Sequence, residues 1–111
     1  LHAGRWFYYV VHGSKPSSRR MISPRIVEKY QQAHDEHLQA AAKSKRYDSI
    51  HTAALRAGYP GPFQAEGIAF AQWMDDCNAT GYQIMAEVES GVRGPLSVAE
   101  YIDLLPILEL P

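Results

Sequence analysis

AFAQWMDDCNATGYQIM, residues 69–85, decides how this chain folds. Two adjacent carboxylates and the only cysteine sit in its middle, so it reads either as reactive chemistry or as one wall of a helical core. Spacing separates the two. Phe70, Trp73, Met74, Cys77, Gly81 and Ile84 recur every three or four residues and mark a continuous helical seam. Asp75 and Asp76 are neighbours in sequence, so on a helix they point roughly 100° apart and cannot converge on one substrate atom. A nucleophilic cysteine needs a cation or a helix N-terminus to lower its pKa, whereas Cys77 follows two acids in mid-helix. The stretch is scaffold, with Asp75, Asp76 and Asn78 mostly on its wet side.

Outward from there the seam extends in both directions, giving a long helix from about Phe63 to Glu89. Its expected core set is Phe63, Phe70, Trp73, Met74, Cys77, Ile84 and Val88. Gly67 and Gly81 each weaken a helix by up to ~1 kcal/mol, which implies close approach of another helix or a bulky ring. Gly91 and the Gly94-Pro95 pair stop it. Ser97 and Glu100 then have capping-box spacing and open a short helix with Val98, Tyr101, Ile102 and Leu105, interrupted by Pro106 and followed by ILELP.

Upstream, YPGP at 59–62 is a rigid turn. Before it, Asp48 is expected to cap a short helix, SIHTAALRA, that Gly58 ends in a left-handed conformation. Ser23-Pro24 is a helix start, and Val27, Tyr30, His34, His37/Leu38 and Ala41 give an amphipathic helix to about Ser44. GRWFYYVV at 4–11 is apolar on both faces and reads as a strand or an extended arm whose partner is not apparent downstream. HGSKPSSRRMISP at 12–24 reads as a linker. The expected fold is mainly α: a bundle of three to four helices over residues 23–111, with an N-terminal strand or arm and linker over 1–22.

A chain of 111 residues with 46% hydrophobic and 21% charged residues fits one globular domain with a modest core. No apolar run approaches the ~20 residues of a membrane helix, no signal peptide is visible, and one cysteine excludes both an internal disulfide and an all-cysteine zinc site. The net charge of −1 hides an asymmetry. Residues 1–46 hold nine Lys/Arg against three acids (+6), and residues 47–111 hold two against nine (−7). Such halves can attract each other, a second copy in a homo-oligomer, or a partner. The basic 15–29 segment nominates nucleic acid, but the acidic half and the sparse spacing of the basic residues argue against it.

Other chemistry is weak. His34 and His37, three apart on a helix, could share a metal, but no third ligand is nominated beyond His51 or a carboxylate, so they read as flank packing with the ring tips toward water. His51 beside Asp48 and Tyr47 reads as helix-start stabilisation. Asn78-Ala79-Thr80 has the form of a glycosylation site but lies inside a helix. There is no phosphate-cradling glycine loop and no GxSxG. These readings give no catalytic residue, no metal and no cofactor. The surplus aromatics instead suggest protein binding, through Trp6, Phe7, Tyr8 and Tyr9 at one end and Tyr101, Leu105 and Leu108 at the other.

Residues 30–106 also carry, in order, HL at 37–38, RYDSI at 46–50, FQAEGIAFAQW at 63–73, YQIMAEV at 82–88 and GVRGPLSVAEYIDLLP at 91–106. This series resembles a family of small phage and prophage proteins encoded around tail-fibre genes. The aromatic GYPGPF turn at 58–63 departs from the polar, serine-rich turn of that family. The resemblance implies a non-enzymatic part of the tail or an assembly factor for the fibre. Its partner would be a tail-fibre or baseplate protein, met in the host cytoplasm during assembly or in the virion tail. It supplies no catalytic residue.

Overall fold

A computed structural model describes residues 24–111. The expected strand at 4–11, the linker, the Ser23 cap and the contact residues Trp6, Phe7, Tyr8 and Tyr9 lie outside the described residues. Within them the chain is mainly helical: α1 (Pro24–Ser44), α2 (Ile50–Leu55), a 3-10 turn (Arg56–Gly58), α3 (Gln64–Ser90) and α4 (Val98–Asp103). No strand occurs among the described residues.

α1 buries Val27, Tyr30, His34, Leu38 and Ala42, a stripe at three- and four-residue spacing that faces α2 and α4. It ends on Arg46, which takes a left-handed conformation (φ 68°). The Tyr47 N–H then donates to the Ala42 carbonyl (3.1 Å) and the Arg46 N–H to the Lys43 carbonyl (2.9 Å). Those two bonds satisfy carbonyls that the helix end leaves open. α2 is capped by Ser49, not by the preceding Asp48: the Ser49 hydroxyl accepts from the Thr52 N–H at 3.1 Å. The Ile50 N–H donates to Gln39 Oε1 (2.8 Å), which fastens the start of α2 to α1. Gly58 is not left-handed; α2 instead tightens into the 3-10 turn and leaves through extended Tyr59.

α3 is the spine. At 27 residues it spans about 40 Å, and its buried stripe is Gly67, Phe70, Trp73, Cys77, Gly81, Ile84, Met85 and Val88. Gly67 meets the need inferred from its cost. A Cβ there would lie 2.5 Å from the Ala57 backbone nitrogen and 2.7 Å from the Arg56 carbonyl carbon. The 3-10 turn therefore rests directly on the α3 backbone. Two expected core residues differ. Phe63 precedes the helix as its N-cap and is 55% exposed. Met74 is only half-buried, at the edge of the core.

Gly91 ends α3 in a left-handed conformation (φ 85°) and the Arg93 N–H reaches back to the Glu87 carbonyl (3.1 Å). The capping box at α4 forms as expected, with the Glu100 N–H on Ser97 Oγ (3.1 Å) and the Ser97 N–H on Glu100 Oε1 (2.8 Å). α4 docks on α1, so the chain's C-terminal part closes over its first described helix.

Candidate functional site

The fold brings the residues with reactive side chains to one place, but inside the molecule. His34 has no exposed surface. Its Nδ1 lies 2.8 Å from the Tyr101 hydroxyl and its Nε2 lies 2.8 Å from Asn78 Oδ1. With the amide oxygen facing Nε2, the neutral ring that satisfies both bonds carries its proton there, and Nδ1 accepts from the Tyr101 O–H. Three helices thus meet at one imidazole: α1 supplies it, α3 the acceptor and α4 the donor. Tyr30 lies alongside, its ring stacked on Tyr101 (centroids 5.0 Å apart, planes within 5°). The Tyr30 hydroxyl donates to the Leu96 carbonyl (2.5 Å) and accepts from the Leu96 N–H (2.6 Å).

The electrostatics match a closed site. Burial holds the His34 ring below the usual imidazole range, although the Asn78 bond and nearby Asp35 pull the other way. Burial likewise raises the Tyr101 phenol above its ordinary value. Cys77 is fully buried on the same side of α3, and burial, with Asp76 adding to it, pushes its thiol up to about 12. A thiol of that pKa is protonated at any physiological pH and is not a nucleophile. The two histidines expected to pack on a helix flank therefore divide. His37 does so, half-buried with its ring 5.6 Å from that of Trp73. His34 does not reach water at all, and Asn78, expected on the wet side, is its partner.

Tyr101 and Leu105, read from the sequence as partner contacts, are 0% and 5% exposed. They are filled into this chain's own core and cannot form a contact surface. Leu108 is half-buried against the same core. The tail that carries it is fixed by Trp73, whose indole N–H donates to the Pro106 carbonyl at 2.8 Å. The cleft of about 210 Å³ between this tail and α3, lined by Gln72, Trp73, Asp76 and Ile107 among others, is smaller than the ~300 Å³ at which small-molecule sites begin. No group of three or more potential metal ligands occurs among the described residues.

Exposed apolar side chains gather instead where the 3-10 turn meets α3. Leu55 (68%), Tyr59 (50%) and Phe63 (55%) all stand out at this corner. Arg56 sits among them: one terminal nitrogen donates to the Tyr59 hydroxyl at 2.7 Å, and its guanidinium carbon lies 5.9 Å from the centroid of the Tyr59 ring. Its Nε is shielded from solvent and has no acceptor. The nearby Glu66 carboxylate takes the Tyr47 hydroxyl (2.6 Å), a bond that raises the Tyr47 phenol pKa, and is not within ion-pair distance of Arg56. The sequence signal for this corner was the GYPGPF turn, where rings flank two prolines that cannot enter a helix.

Comparison with protein-family models, with curated proteins and with solved structures gives no match.

Proposed function

We propose that this chain is a non-enzymatic binding protein of a phage tail, which engages a tail-fibre or baseplate protein as a structural part or as an assembly factor. The observation that supports the reading is a division of labour between inside and outside. His34, Tyr101 and Cys77 are consumed in packing, while Leu55, Tyr59 and Phe63 face solvent together. Aromatic and arginine side chains dominate the energetics of protein interfaces. The phage assignment comes from the sequence series ending in GVRGPLSVAEYIDLLP, and the helical fold is compatible with it. The aromatic residues Trp6, Phe7, Tyr8 and Tyr9 belong to the same proposal as a second contact.

The test is co-expression with the tail-fibre and baseplate proteins encoded beside it, followed by pull-down. Wild-type chain should retain one of them, and Tyr59→Ala with Phe63→Ala, or removal of residues 1–12, should weaken retention at least tenfold. Failure of wild type to retain any of these proteins would overturn the assignment. Purified virions then separate the two roles: a structural part stays at fixed stoichiometry, and an assembly factor is absent.

A further inference from the structure

We propose that the corner formed by Leu55, Arg56, Tyr59 and Phe63 is a docking site for a polypeptide segment that presents a carboxylate flanked by apolar side chains. This rests on reading the chain as a binding protein and adds the chemistry of what it binds.

Two independent features of the corner define the occupant. The first is apolar: three large side chains, each at least half exposed, come from three consecutive pieces of structure around one turn. Their backbone is not loose. Gln64 Nε2 donates to the Ala57 carbonyl (3.2 Å), and Gly67 lets the 3-10 turn rest on α3. The three side chains thus stand on a backbone braced against α3, which lowers the entropy lost on binding.

The second feature is charge. Arg56 carries a guanidinium whose only hydrogen bond among the described residues is to a neutral phenol. No carboxylate among the described residues lies within ion-pair distance of Arg56. Its Nε is out of reach of solvent, so an incoming group would meet the terminal nitrogens. A cation bonded to Tyr59 on a turn that also carries the exposed Leu55 and Phe63 suits an anion that brings apolar neighbours with it. A carboxylate matches the guanidinium fork geometrically, and side chains flanking it in a peptide would cover Leu55, Tyr59 and Phe63. Phosphate on a nucleic acid would satisfy the charge but would leave Leu55, Tyr59 and Phe63 uncovered.

The occupant can be defined without knowing the biological partner. Random twelve-residue peptides displayed on yeast are selected against the purified full-length chain, and enriched clones are measured on wild type, Arg56→Gln, Tyr59→Ala and the distant control Arg93→Gln. Arg56 is half-buried and Tyr59 is half exposed, and circular dichroism checks that each variant is folded. The expected result is enrichment of peptides with Asp or Glu between apolar residues. Their binding should fall at least tenfold with Arg56→Gln and with Tyr59→Ala, weaken in high salt, and stay unchanged with Arg93→Gln. Peptides without an acid, binding indifferent to Arg56, or no enrichment would each overturn the proposal. So would concentration-dependent dimerisation lost with Arg56→Gln, since the site would then be a contact between copies. Because no tail protein is used, this result and the pull-down can fail separately.

Discussion

At the scale of single residues, the main event is the burial of a neutral histidine between a hydroxyl and an amide. Removing His34 leaves the Tyr101 hydroxyl without an acceptor and Asn78 without a donor, in addition to a cavity. His34→Ala should therefore cost on the order of 3 kcal/mol in urea unfolding. Tyr101→Phe alone should cost less, and the double variant should fall short of the sum because one bond is counted twice. The same burial has a pH signature. The His34 and His37 pKa values are both lowered by burial relative to 6.5. The unfolded chain then binds more protons in mildly acidic solution. Stability should be full above pH 6.5, decline as pH falls below it, and stop declining from this source below the folded-state pKa. His34→Gln should flatten that decline; an unchanged profile would assign it elsewhere. Cys77 gives a simpler expectation. With its thiol near 12 and buried, it should resist iodoacetamide at pH 8 in the folded chain and react at the ordinary rate in 6 M guanidinium. None of the His34 pairing was legible in advance, since its partners lie 44 and 67 residues away. Periodicity places His34 on the apolar stripe but cannot say that a phenol from α4 will meet it.

At the scale of elements, spacing was informative because each helix needs an apolar stripe, and punctuation was informative because Pro and Gly limit the backbone. The bounds of α1 and α3 and the capping box of α4 follow from those signals. Where neighbours compete for one task, the sequence is ambiguous: Asp48 and Ser49 could each cap α2, and packing of Ile50 into the core selects Ser49. Gly58 looked like a left-handed stop, but the 3-10 turn continues past α2 because Gly67 provides the space beneath it. This makes Gly67 the sharpest element-level test. An alanine in mid-helix ordinarily gains up to ~1 kcal/mol over glycine. At Gly67 the new methyl would overlap backbone atoms, not a flexible side-chain end, so Gly67→Ala should destabilise by about 1–3 kcal/mol. Thermal unfolding decides the sign, and a rise in Tm would mean that the turn and α3 are not in contact.

At the scale of the whole molecule, the described part is held mainly by a shared apolar core, and its Glu87–Arg93 ion pair is partly exposed. Among the described residues, charge pairing therefore adds little to what holds the fold. After α4 the tail runs back along α3, with Leu108 and Leu110 half-buried and Ile107 85% exposed. One hydrogen bond fixes its start, from the Trp73 indole to the Pro106 carbonyl. Trp73 is 5% exposed, so the tail is part of what keeps its ring dry. Truncation after Leu105 should remove that cover and the indole's acceptor while leaving α4 and the His34–Tyr101 bond in place. In a Trp6→Phe background, which isolates Trp73, its emission should shift to longer wavelength and become accessible to iodide, and stability should drop by roughly 2 kcal/mol. The far-ultraviolet helical signal should be retained, because the truncated residues follow the last helix. Collapse of that signal would show the tail to be required for the bundle; unchanged emission would mean that α1 and α3 alone shield the indole.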